Sequence, residues 1–143
     1  MTYKEVREKA IQELKQYGVI DLRLNRIRRR LEIVEIDLTD HLPNNSSSAT
    51  NSTEEYIIEL IKEKEKLLKE QRQAKLFKED MEEVLNYLGR EDRGLLMAVY
   101  GKRTLGSIKV YCEAHYIHRS SVYRKAEKTL DRFIYTRYGE FSR

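Results

Sequence analysis

Ile20, Leu24, Ile27, Leu31, Val34 and Leu38 alternate spacings of four and three residues without a break. This is the narrow apolar seam of a coiled coil, not the broad stripe of a helix lying on a globular core, so it commits residues 20–38 to a helix that needs another helix along its length. A second repeat follows: Leu60, Leu67, Ala74, Met81 and Leu88 recur every seven residues, with Ile57, Lys64, Gln71, Lys78 and Leu85 as companions. Because that second seam is apolar on one side and polar at its centre, it pairs with the first as an antiparallel hairpin, with a second copy of the chain, or with both. Ser52 and Glu55 form a capping-box pattern at its start, and Gly89 stops it after Leu88. The third helix so predicted is roughly 50 Å long at 1.5 Å per residue. It outruns any partner within the first 40 residues, which favours self-association.

Thr2 to Tyr17 reads as a preceding helix, with Tyr3, Val6, Ala10, Leu14 and Tyr17 on one face and Gly18 closing it. Between the two seams, residues 40–53 (DHLPNNSSSATNST) break the pattern, since Pro43 cannot continue a helix and the Asn/Ser run bonds its own backbone. We expect that loop to be mobile. The three N-x-[ST] triplets starting at Asn44, Asn45 and Asn51 mark it only as polar.

Composition supports an all-α chain. Of 143 residues 36% are charged, mean hydropathy is −0.73, and there is one proline among abundant Glu, Lys, Leu and Arg. No alternation typical of strands stands out. The start, MTYKEVREKA, carries charges where a signal peptide needs an apolar run, and no window approaches the ~20 apolar residues that span a bilayer. A cytoplasmic protein without membrane partners is expected, and the lone Cys112 fits it, since one cysteine forms no internal disulfide.

Charge is unevenly placed. From Gly101 to Arg143 there are ten Lys and Arg against four Asp and Glu, while residues 1–100 carry 18 against 20. The same tail holds five of the ten tyrosines, and basic residues interleaved with aromatics are the electrostatic footprint of a nucleic-acid surface. The run RIRRR (26–30) is also able to touch phosphate, but reads first as the wet back of the second helix, pairing with acids of the third.

After Gly89, Glu91 and Asp92 suit a helix N-terminus, Leu95, Leu96, Val99 and Tyr100 give it a buried side, and Gly101 ends it. Next, SIKVYCEAHYIHRSSVYRKAEKTLDRF resembles a helix-turn-helix. Ile108 to His115 forms the first helix, with small Cys112 at the crossing, and Tyr116 to His118 the turn. The second helix, Arg119 to Tyr138, is anchored by Val122, Ala126, Leu130 and Phe133. It presents His118, Arg119, Ser120, Ser121, Tyr123, Arg124 and Lys128 to solvent, and a major groove admits such a helix. Arg119 and Arg124 suit guanine edges, the hydroxyls of Ser120, Ser121 and Tyr123 suit bases or phosphates, and Lys109, Lys125 and Lys128 suit the phosphate backbone. Three positions depart from the usual pattern: His115 replaces an aliphatic, Tyr116 stands where glycine is typical, and Lys125 where an apolar residue packs.

Residues 91–138, with HYIHRSSVYRKAEKTLDRF at their centre behind a charged coiled-coil front, resemble the C-terminal module of small bacteriophage transcriptional regulators of the ArpU and RinA type. That module is similar to the DNA-binding region four of sigma factors. The resemblance implies binding to a phage promoter in a bacterial host and activation of late genes by contact with host RNA polymerase. Glu32, Glu35, Asp37 and Asp40 are a candidate acidic surface for that contact.

The sequence therefore predicts a helical coiled-coil oligomerisation region (1–88) and a helix-turn-helix domain (89–143), a homo-oligomer with a dimer favoured, and double-stranded DNA as partner. A structural DNA-packaging subunit of the small-terminase kind, where similar helices build a ring, is the alternative. Cys112, His115 and His118 lack a fourth ligand for a metal, and YGKRTLG lacks the first glycine and the Ser or Thr of a phosphate-binding loop. No catalytic constellation stands out, so neither an enzyme nor a cofactor is expected.

Overall fold

The computed structural model describes residues 1–41, 51–101 and 105–139. Among them every element is helical, and the fold class is all-α. Six α-helices follow one another: α1 Tyr3–Gly18, α2 Ile20–His41, α3 Asn51–Leu88, α4 Arg90–Leu96, α5 Leu105–His115 and α6 Arg119–Tyr138, with a π-helical turn, Met97–Gly101, directly after α4. Residues 42–50 of the expected mobile loop, and the Ser52 side chain of the expected cap, lie outside the described residues.

The contacts gather into two units, residues 1–20 with 77–143 and residues 21–76. This grouping differs from a division at residue 88, because α1 and the last twelve residues of α3 sit with the C-terminal helices.

In the first unit, α1 begins at Thr2, whose hydroxyl accepts the Glu5 N–H at 3.3 Å. Val6, Ala10, Leu14 and Tyr17 of α1 are buried as its spacing predicts. They pack in the unit that also buries Met81, Leu85 and Leu88 of α3, Leu95 and Leu96 of α4, Ala98 and Val99 of the π turn, Ile108 of α5, and Val122, Ala126, Leu130, Phe133 and Ile134 of α6. Each large side chain among these contributes about 1.5–3 kcal/mol by leaving water.

Gly18 is required by close approach. A Cβ there would stand 2.8 Å from the Gly101 carbonyl oxygen, so only a residue without a side chain lets the end of α1 meet the π turn. Gly89 ends α3 at φ 101°, a conformation other residues rarely adopt. Tyr17 ties these pieces together: its hydroxyl donates to Glu82 of α3 at 3.2 Å and accepts from Arg93 of α4 at 2.8 Å.

In the second unit, α2 and α3 run side by side in opposite directions. His41 at the end of α2 meets Tyr56 near the start of α3, whereas Arg30 and Glu35, earlier in α2, meet Glu63 and Lys64, later in α3. Ile27 and Val34 of α2 and Leu60, Leu67 and Ala74 of α3 are buried between them, while Leu24, Leu31 and Leu38 are half-buried. Of the RIRRR arginines, Arg30 bonds Glu63 at 3.1 Å and Arg28 lies 4.0 Å from Glu32 on its own helix.

Candidate nucleic-acid interface

The candidate surface is built on α5, a three-residue link and the first half of α6. Ile108, Val122 and Ala126 bury against Leu95 and Val99, with Cys112 and Ile117 packed onto the same cluster. The link is shaped by Tyr116, whose φ of 53° is left-handed. That conformation lets the Ile117 N–H reach the Cys112 carbonyl at 3.1 Å, closing α5 in the arrangement usually capped by glycine, with Ile117 and Cys112 on the apolar cluster behind it. The tyrosine side chain itself is 98% exposed.

His118 starts α6. Its Nδ1 accepts the Ser120 N–H at 3.4 Å and lies 3.0 Å from the Ser120 hydroxyl, while its carbonyl accepts the N–H groups of Ser121 and Val122. His118 and Ser120 thus hold each other and fix where the helix begins.

Behind the surface, Val122, Ala126, Leu130 and Phe133 are wholly buried, so α6 has one rotational setting. That setting leaves Arg119, Ser120, Ser121, Arg124, Lys125 and Lys128 exposed, with Lys109 exposed on α5. Tyr123 is 42% exposed and turns toward α1, at the rim of a shallow recess with Ile11, Lys15 and Tyr100.

The charges of the tail divide into two groups. Arg137 forms a bidentate bond to Glu13 of α1, at 2.8 Å and 3.3 Å, and Arg132 pairs with Asp92 of α4. Burial alone would raise the Glu13 carboxyl, but hydrogen bonds from Arg137 and Tyr138 hold it below its ordinary range. Tyr138 itself is pushed up, first by burial and then by its bond to Glu13. By contrast, Lys109, Arg119, Arg124, Lys125 and Lys128 enter no ion pair among the described residues. The one acid in the first half of α6, Glu127, is bound by Arg7 of α1 and by the Tyr100 hydroxyl. Burial and this carboxylate together push Tyr100 well above the usual phenol range.

Arg7 is therefore part of the site without a signal in the sequence, since it neutralises the acid from 120 residues away. The result is a helix face whose cations are unspent and whose carboxylate is matched. Among the described residues no cluster of His, Cys, Asp and Glu has the makings of a metal site. No helix of the described residues is long and apolar enough to cross a membrane. No protein-family model, curated protein or solved structure matches the chain.

Proposed function

We propose that this protein is a sequence-specific double-stranded DNA-binding regulator of transcription, a phage or prophage activator of the ArpU and RinA kind acting with host RNA polymerase. The observation that carries the reading is the charge division of α6. Its buried half is anchored by apolar side chains and its later arginines are matched to carboxylates, whereas Arg119, Arg124, Lys125 and Lys128 stand exposed and, among the described residues, unpaired. Leaving four cations unmatched on one ordered helix suits a polyanionic partner. In this reading α6 lies in the major groove, Arg119 and Arg124 read base edges, and Lys109, Lys125 and Lys128 hold phosphates. His118 and Ser120 set the helix start, and the Ser121 hydroxyl faces the groove wall, whereas Tyr123, turned toward α1, stands at the edge of the surface.

The test is binding of the full chain to a random duplex library, followed by titration of the enriched site. Arg124→Ala should weaken the enriched site by about 1–3 kcal/mol and loosen its sequence preference, and Lys128→Ala should weaken all duplexes alike. If about six phosphates are neutralised, log affinity falls with log salt at a slope of about −5. Equal losses for Arg124→Ala on enriched and random duplex would remove the base-reading role. No duplex binding at all, or a ring of many copies that shows no site preference, would favour the packaging subunit or a protein-only partner.

A further inference from the structure

The second unit carries a seam that no described residue covers and that the heptads of its buried side do not reveal. Glu54, Ile58, Ile61, Glu65, Leu68, Arg72 and Lys75 of α3 follow one another at spacings of four and three, and all are exposed. Ile58 is 51% exposed, Ile61 44% and Leu68 40%. This is a second coiled-coil seam on a helix whose first seam already faces α2. Its apolar residues lie in the middle, with an acid at one end and two cations at the other. Glu54, Glu65, Arg72 and Lys75 enter no ion pair among the described residues.

The whole unit is polarised in the same sense. Residues 21–30 and 64–76, which lie alongside each other, hold ten Lys and Arg against three Asp and Glu. Residues 31–41 and 53–63, which make up the other half, hold one lysine against eight Asp and Glu. The ion pairs between the helices, Arg30 to Glu63 and Glu35 to Lys64, sit where the sign changes. Within one copy the antiparallel arrangement puts like charges beside like, so it sharpens the polarity instead of cancelling it.

From this we infer that a second copy of the chain covers the seam, with the two α3 helices antiparallel about a two-fold axis near Glu65. In that register Ile61 of one protomer faces Leu68 of its partner, Glu54 faces Lys75, and each acidic half lies against a basic half. A parallel pairing would stack like ends on like. Only the two Glu65 carboxylates approach each other unfavourably at the axis, flanked by Lys62 and Lys69 of each helix. No residue of α5 or α6 takes part in this pairing, so the dimer is expected whether or not those helices bind DNA.

Sedimentation of the full chain, in a Cys112→Ser background for the cross-linking arms, tests it. The unaltered chain should be a dimer at micromolar concentration. Leu68→Glu should weaken it by tenfold or more, of the order expected for a charge placed in a seam, with helix content unchanged because Leu68 is exposed. Glu54→Lys should weaken the dimer and Glu54→Lys with Lys75→Glu should restore it. Glu65→Leu should tighten it. Under oxidation Glu65→Cys should link to itself, and a mixture of Glu54→Cys and Lys75→Cys chains should give the mixed dimer. A monomer, self-linking of Glu54→Cys as in a parallel pair, or a dimer indifferent to Leu68→Glu but lost in Ile33→Glu on the outer face of α2 would each overturn the assignment.

Discussion

Tyr116 holds a backbone conformation that costs an ordinary side chain roughly 1 kcal/mol, and its ring is too exposed to recover that by packing. Tyr116→Gly is therefore expected to stabilise the fold by about 0.5–1 kcal/mol, less than the full strain because glycine also loosens the unfolded chain. A rise in the urea midpoint at constant m-value checks it, and an unchanged or lower midpoint would mean that the ring has contacts the fold needs. The sequence marks this position as one where glycine belongs. Whether the chain would keep its turn with a tyrosine there was decided by the Ile117 to Cys112 bond and the apolar cluster beneath it.

Between α1 and α6 the interaction is mostly polar at its edges. Arg137 and Tyr138 grip Glu13, Arg7 grips Glu127, and Tyr3 donates to Asp131. Because Glu13 is held below its ordinary value of 4.5, its contribution to stability is fully present above the unfolded value. It is lost as pH falls through the ordinary glutamate range and below. Glu13→Gln should accordingly lower stability by about 1–3 kcal/mol at neutral pH, the scale of a lost charge-assisted hydrogen bond. The gap to the unaltered chain should close in acid. Thermal melts of both chains across that range give the comparison, and a gap independent of pH would assign the effect to packing alone. At this scale the helices themselves were legible. The three- and four-residue spacings of α1, α2 and α6 predict the buried residues, and Gly89 marks a real end, because periodicity and helix termination are local. The π-helical form of Met97–Gly101 was not legible, since the preference of a five-residue stretch is outweighed by how it packs.

Taken whole, the chain interrupts one unit with another: residues 21–76 stand between the two parts of the first unit. Replacing residues 21–76 with a short flexible linker should leave a cooperatively melting remainder that sediments as a monomer and, under the proposed function, keeps the duplex-binding face of α6. Loss of cooperative melting would mean that the buried contacts of α1 with α6 and the π turn cannot form without the inserted pair. The sequence by itself determined the helical class, the two seams, the register of α6 and the basic character of the tail, because each depends on residue types within a few turns of one another. Which charges remain free was decided only by tertiary structure. Glu13 and Arg137 are 124 positions apart and Arg7 and Glu127 are 120 apart, and nothing in their local surroundings distinguishes them from the unpaired Arg119 and Arg124. Ion pairs form where folded surfaces happen to meet, and only the packing of α1 against α6 brings those surfaces together.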